Sequence, residues 1–395
     1  MCIFVISFFG LASSSALAQD IPITDEKISD VEIPAVSKQI HHMIKKKKIA
    51  GAVVMVSWKG ELIHYQAKGM RDIAEKQSLQ KDSLFRIYSM TKPLTSVAVM
   101  LLHERGLLNL DDPIERYIPE FATVQVYHKK NNKALHRRIT IRDLMRHTSG
   151  LSYGFFSQTA VDAMYMKDHP LYSKNNREMT RKLSAYPLLF QPGERWHYSV
   201  ATDVLGDLIE RVSGQELGMF FAENILQPLQ MNDTSFSVSA EKRDRFSSSY
   251  SAGVKLKEKY SKSHYLNANR IQSGGGGLVS TASDYMRFCM MLLNGGELDG
   301  VRLLQAKTIA EMTTNQLPKG VFSYGVFGFG LGFQVQLYDW GNKGHVGEYG
   351  WDGAASTHFW ISPRDELIVI LLSQRQPYSA QLKKTIKPLI YQHIK

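Results

Sequence analysis

Cysteine is nearly missing from this chain of 395 residues, which has only Cys2 and Cys289. That excludes a disulfide framework. If the first residues are removed on export, Cys289 is left without an intramolecular partner, and its place in a helical apolar pattern reads as core. No run of 18 apolar residues occurs, so an ordinary transmembrane helix is excluded from the mature chain. None of the 13 histidines stands in a ligand spacing such as His-Glu-x-x-His, and no metal is expected. Gly274 to Gly277 is not followed by Gly-Lys-Ser/Thr, which argues against a phosphate loop, and no cofactor is implied. Repeats and low-complexity linkers are absent too.

Acidic residues are the scarcer charge, 37 against 48 basic ones, for a net charge of +11. The excess is dispersed except in two clusters. Lys45 to Lys48 closes a helix predicted over about 35–48, where cations complement the dipole. Lys129, Lys130, Lys133, Arg137 and Arg138 fall in a polar loop. No nucleic-acid module accompanies them, so nucleic acid is not an expected partner. Peripheral association with an anionic envelope surface remains compatible with the charge.

The first 18 residues differ from the rest. An apolar stretch from Ile3 to Ala12 leads through small residues to Ala16-Leu17-Ala18, the small-x-small form of a signal-peptidase site. A signal peptide over 1–18 and a single domain over 19–395 are expected, with residence in the bacterial periplasm or cell envelope. Export without disulfides fits that compartment.

With 44% hydrophobic residues the chain can bury a large core. Gly51 to Trp58 and Leu62 to Ala67 flank Lys59-Gly60-Glu61 as a β-hairpin. Thr140-Ile141-Arg142-Asp143 reads as a capped helix start, Ala201 to Val212 as a helix ending at Gly214, and Thr281-Ala282-Ser283-Asp284 as a third start. Strand signals return at Gly330 to Leu337, His345 to Tyr349, Ala354 to Ile361 and Leu367 to Ser373, before a closing helix near Ser379 to Ile394. One sheet assembled from both ends of the chain is therefore expected, its α/β part covering about 30–91 and 271–395, with a mostly helical insertion over about 92–270.

Three stretches carry chemistry. In Phe85-Arg86-Ile87-Tyr88-Ser89-Met90-Thr91-Lys92-Pro93 a short strand runs into a buried apolar helix, with Ser89 and Lys92 on one face of its first turn. A serine hydroxyl becomes a nucleophile only when a base takes its proton, and the amine of Lys92 or a group it assists can do so. Ser78 to Lys81 and Ser239 to Lys242 repeat the spacing without that setting. The second stretch, Gln191-Pro192-Gly193 through Tyr198-Ser199-Val200, puts Tyr198 on a loop before a helix, where a neighbouring cation such as Lys92 would lower its pKa. The third, Gly350-Trp351-Asp352-Gly353-Ala354-Ala355, offers small residues that let a substrate approach strand backbone.

Together with His147-Thr148-Ser149-Gly150-Leu151, Gly274 to Phe288 and Trp351 to Pro363, these stretches resemble the β-lactamase-related serine hydrolases: class C β-lactamases, D-alanyl-D-alanine carboxypeptidases and esterases of β-lactamase fold. The resemblance covers roughly residues 30 to 393. It implies an α/β, β-lactamase/transpeptidase-like fold with an antiparallel sheet. It also implies an acylated Ser89, an acid/base pair of Lys92 and Tyr198, and an oxyanion hole from the N–H groups of Ser89 and Ala354, with Trp351 and Gly353 at the substrate. Val200 stands where members acting on β-lactams carry asparagine, and Trp351-Asp352-Gly353 where they carry Lys-Thr-Gly, as in the esterase-like branch. His345-Val346-Gly347 is the rival for that third motif. A small ester or amide is the expected substrate, most specifically an ester of a short acyl group. The alternatives are a β-lactamase or D-alanyl-D-alanine carboxypeptidase-like peptidase, and a catalytically silent envelope binding protein.

Overall fold

The computed structural model describes residues 31–395 apart from Ser157. The expected signal peptide and Cys2 lie outside the described residues. Eight strands form one antiparallel sheet, in the order Gly328–Phe329, Gln334–Val335, Tyr349–Gly353, Thr357–Ser362, Leu367–Ser373, Gly51–Trp58, Glu61–Asp72 and Gln77–Ser78. The first strand of the chain is thus zipped to the last, Ala52 opposite Ser373 through to Trp58 opposite Leu367.

Both central strands are apolar at nearly every position, Ser57 and Ser373 excepted, because both faces of the sheet are covered. On Gly51–Trp58, Val53 and Met55 enter the larger core, while Ala52, Val54 and Val56 enter the smaller. Ile368, Ile370 and Leu372 alternate in the same way with Leu367, Val369 and Leu371. The smaller core is closed by Val36, Ile40 and Met43 of the helix Pro34–Lys45 and by Leu382, Ile386 and Ile390 of the helix Gln381–His393. The larger core lies between the sheet, the Ala282–Leu293 helix with its buried Cys289, and the helical region.

In the helical region the Thr91–Glu104 helix is buried from Thr91 through Leu102 and packs against Ala201–Ser213. Thr140 caps the short helix Ile141–Met145 in a two-way capping box with Asp143. Gly214 ends the Ala201–Ser213 helix in the left-handed conformation.

Three strands differ from expectation at their boundaries. His345 to Glu348 forms a turn closed by the Glu348 N–H on the His345 carbonyl at 3.1 Å, and the strand runs instead over Tyr349–Gly353. Ala354 to Ser356 is the hairpin turn, with Ser356 at φ 58°, so its strand is Thr357–Ser362. Gly330 to Leu337 supplies only Gln334–Val335, since the Gly330 and Leu331 N–H groups bond outside the ladder. Apolar content marks the neighbourhood of Gln334–Val335 and Thr357–Ser362, but it misplaces the strand that begins at Tyr349. The turns that set their register depend on tertiary partners such as Lys387, which pairs with the buried Glu348.

Candidate active site

Ser89 lies where a two-residue strand meets a helix. Phe85–Arg86 pairs with Val279–Ser280, the chain tightens into a 3-10 turn over Tyr88–Met90, and the α-helix starts at Thr91. Tyr88 takes a φ of 44° to make this corner, an unfavourable conformation for an aromatic residue. It is held there by the Gln376 amide, which donates to its hydroxyl at 2.6 Å, and by edge-on packing against Tyr265. The corner leaves Ser89 half-buried and its N–H without a hydrogen-bond partner among the described residues.

Tyr198 arrives from the loop before the Ala201–Ser213 helix and donates to Ser89 Oγ at 2.7 Å. Its ring is caged by His147 at 4.9 Å, Tyr153 at 5.2 Å, Trp351 at 5.3 Å and Phe156 at 5.6 Å between centroids, with Trp196 stacked at 6.3 Å. This cage desolvates the phenol and pushes it well above its ordinary value, against the hydrogen bonds that link it to Ser89 and Trp351. The sequence-based expectation of a tyrosine with a lowered pKa is therefore reversed.

The reversal comes from the lysine. Lys92 is 1% exposed, and burial pushes its amine down to about 7, with the Asp203 carboxylate opposing. An amine brought down to about 7 is a poor cation for ionising a phenol and is itself fit to accept a proton. Nor does it hydrogen-bond to Ser89 among the described residues, as the shared helix face suggested. Lys92 Nζ donates to the Gly275 carbonyl at 2.6 Å and to Tyr153 Oη at 2.8 Å, and lies 4.7 Å from the Tyr198 ring centroid. Tyr153 packs on Tyr198 with ring centroids 5.2 Å apart, so the polar groups follow one another from Lys92 through two adjacent phenols to Ser89.

Tyr153 was missed in the sequence. It follows the His147-Thr148-Ser149-Gly150-Leu151-Ser152 stretch, and a tyrosine just past a glycine turn is a weak signal by itself. Its own burial holds its phenol well above the usual range, so it too stays protonated. The glycines at 274–277, discounted as a phosphate loop, have a role here. They let that loop pass between two helices and present a carbonyl to Lys92.

The third stretch forms the opposite wall. Trp351 Nε1 points at Tyr198 Oη from 3.5 Å, and the indole is buried in the larger core. Gly353 presses on the segment before Ser89, where a Cβ would stand 2.3 Å from the Ile87 carbonyl oxygen and 2.2 Å from Thr357 Oγ1. Ala354 follows at the start of the turn, exposed, its N–H unoccupied among the described residues. Asp352 points away from the site, as strand alternation requires. It accepts from Tyr378 at 2.6 Å and Lys383 at 3.0 Å and lies 2.9 Å from His358, and the nearby Lys383 and His358 hold its carboxyl well below the usual range despite burial. His345, of the rival motif, pairs with Asp365 at 2.6 Å and packs on Tyr391, away from these groups.

These residues bring together a hydroxyl, a phenol bonded to it, a second phenol packed on the first and bonded to a buried amine, and two N–H groups, free among the described residues, on the segments beside the hydroxyl. That is the set acyl transfer to a serine requires. The sequence model described as Beta-lactamase matches residues 36–388. Esterase EstB of Burkholderia gladioli is 30% identical over 378 residues, 88% of this chain and 92% of that protein. Monacolin J acid methylbutanoyltransferase of Aspergillus terreus is 28% identical over 396 residues, 88% of this chain and 93% of that protein. Among solved structures, EstCE1, described as a hydrolase with promiscuous acyltransferase activity, superposes with a TM-score of 0.79 at 26% identity over 91% of this chain and 98% of its own.

Proposed function

The chain belongs to the Beta-lactamase family, and from that premise we propose that this serine hydrolase acts on uncharged carboxylic esters of short acyl groups through a Ser89 acyl-enzyme. The observation that carries the reading is the 2.7 Å bond from Tyr198 to Ser89, backed by a buried amine lowered to about 7. In acylation Ser89 Oγ attacks the ester carbonyl and its proton passes to Tyr198. The Tyr198 proton moves to Tyr153 and the Tyr153 proton to Lys92, so neither phenol carries a lasting charge. The Ser89 and Ala354 N–H groups receive the oxyanion. As the tetrahedral species collapses, the ammonium of Lys92 returns a proton along the same line to the leaving alkoxide. Water then repeats the sequence on the acyl-enzyme.

Trp351 supports esters over β-lactams and D-alanyl peptides. Those substrates present a carboxylate beside the reacting carbonyl, and the indole offers it one N–H donor and no charge. Val200, 1% exposed, supplies no amide for an acylamide side chain. A fluorophosphonate probe followed by intact mass spectrometry tests the core of the reading. A single adduct on Ser89 is expected, and a folded protein without one would be a silent member of the fold.

A second reading concerns the acceptor. Phe155, Phe156 and Tyr324 stand 58%, 59% and 61% exposed, in ring contact with Tyr153, Tyr198 and Trp196. Such a rim favours an apolar alcohol competing with water for the acyl-enzyme. Partition of p-nitrophenyl butyrate between butyrate and butyl butyrate in the presence of butanol measures it; no transfer product at high butanol rules it out. We also place the protein in the bacterial envelope. Cleavage after Ala18 in protein recovered from that fraction supports this, and an intact N-terminus in the cytosol opposes it.

A further inference from the structure

Asp203 lies on the third residue of the Ala201–Ser213 helix, 1% exposed and without contact to Ser89 or Tyr198 among the hydrogen bonds of the described residues. Its Oδ1 accepts from the Ser273 hydroxyl and from the Gly275 N–H at 3.0 Å, and its Oδ2 is buried with no hydrogen-bond partner. An ionisable group buried at such cost calls for a purpose beyond packing.

The geometry supplies one. The Gly275 N–H belongs to the peptide whose carbonyl, on Gly274, accepts from Thr95 Oγ1 at 2.7 Å, so that peptide is clamped between Asp203 and the Thr91–Glu104 helix. The next carbonyl, on Gly275, takes the Lys92 amine at 2.6 Å. No side chain fits in this sandwich: a Cβ on Gly275 would stand 2.2 Å from Asp203 Oδ2, and one on Gly274 2.7 Å from the Thr202 carbonyl oxygen. The other titratable groups around the amine are the phenols of Tyr153 and Tyr198 and the imidazole of His147, all kept uncharged by burial. Among the described residues Asp203 is the one carboxylate whose charge acts on Lys92.

We propose that Asp203 is a positioning residue for Lys92, holding the amine on the two-phenol line through the Gly275 peptide and setting, by its negative charge, the pH at which the amine releases its proton. Without that charge, burial alone would leave the lysine neutral but a weaker base. With it, the amine remains basic enough to take the serine proton while still being free of a proton near neutrality. The inference rests on the reading of Lys92 as the base given above.

The test is the rate of Ser89 labelling by a fluorophosphonate as a function of pH, in wild type and in Asp203→Asn. The acid limb of the wild-type profile is expected near pH 7. In Asp203→Asn it moves down by about one pH unit, the scale of losing a nearby charge, and the plateau falls. A limb that stays in place in a folded variant, however far the rate drops, reduces Asp203 to packing and overturns the inference alone. If Asp203→Asn does not fold, Ser273→Ala decides. It removes one hydrogen bond that favours the ionised carboxylate, and a smaller shift in the same direction supports the inference where an unmoved limb overturns it. A wild type unlabelled at every pH removes the acyl-enzyme reading, and this inference with it.

Discussion

Ser89 and Tyr198, 109 positions apart in the chain, share a 2.7 Å hydrogen bond, while Lys92, three positions from Ser89, is bonded to Tyr153 instead. If the phenols relay the proton, removing any link has the same consequence. Tyr198→Phe, Tyr153→Phe and Lys92→Met are each expected to lower kcat on an activated ester by at least about 10²-fold, and pairs of them to cost little more than one. Circular dichroism confirms the fold of each variant. Wild-type turnover in Tyr153→Phe would mean that the amine reaches Tyr198 directly.

The second prediction is the pH profile of kcat/KM. The active form needs a neutral Lys92, whose amine burial brings down to about 7, and a protonated Tyr198, which burial raises well above its ordinary value. Activity should therefore fall about tenfold per unit on the acid side of neutrality and hold flat well into the alkaline range. His147, pushed well below its ordinary value by burial, adds no titration near neutrality. An acid limb near the ordinary carboxylate range would assign the base to an acidic residue.

The same lysine costs stability in a pH-dependent way. Unfolded, its amine takes a proton below about pH 10.5, but folded only below about 7. Between those values the unfolded state binds the extra proton, so the folded state loses ground as the pH falls, by about 1.4 kcal/mol per unit, and the loss is complete below the folded value. Relative to Lys92→Met, wild type should weaken steadily from alkaline to neutral pH. Urea denaturation of both proteins at about pH 9.5 and 7.5 measures the slope. A constant difference between them would mean that the amine is charged in the folded state at both.

What could be read in advance divides along physical lines. Ser89, Lys92 and Tyr198 lie in stretches where local geometry constrains composition, a strand-to-helix corner and a Pro-Gly loop, and those constraints are visible in sequence. The two halves of the sheet were legible because strands covered on both faces are apolar at nearly every position. Tyr153 and Asp203 were not legible, because each acts through a partner distant in sequence. The protonation states of Lys92 and Tyr198 were misjudged because a sequence shows which charges are near but not how much water is removed. Asp352 stands beside Trp351 in the sequence, yet strand alternation turns it to Lys383 and His358 on the far face.

Gly353→Ala tests the wall on which the oxyanion hole depends. The Cβ would meet the Ile87 carbonyl oxygen at 2.3 Å, and both clashing groups are fixed, one by backbone and the other, Thr357, by a strand. The strand end must move away from the Ser89 corner by several tenths of an ångström and take the Ala354 N–H with it. Removing one oxyanion donor typically costs about 10²- to 10³-fold in kcat, and a loss of that size with KM little changed is expected. Unchanged kcat in the folded variant would take Ala354 out of the hole.

The last prediction is the order of substrates. A cephalosporin or a D-alanyl-D-alanine peptide carries a carboxylate that a lysine would pair with, and Trp351 provides no such partner. Losing one charge-assisted hydrogen bond typically costs about 1.5–3 kcal/mol, or roughly 10- to 150-fold. Asp352 adds no repulsion to that loss, because its charge is matched by Lys383 on the other face of the strand. Arg375 is a cation tied to the turn beside this wall, its backbone N–H bonded to the Ala355 carbonyl and its Nε buried without a hydrogen-bond partner among the described residues. If a carboxylate is accepted at all, Arg375→Ala should abolish it and leave esters untouched. The comparison is kcat/KM for p-nitrophenyl acetate and butyrate, a chromogenic cephalosporin and a D-alanyl-D-alanine peptide, each divided by its uncatalysed rate. Butyrate should exceed acetate by up to about fourfold per added methylene, the scale of burying a CH₂ against the aromatic rim, and that gain should shrink in Phe156→Ser. A cephalosporin or peptide that leads after the correction would show that the site supplies its carboxylate with a cation after all, and the ester assignment would give way to the peptidase or β-lactamase one.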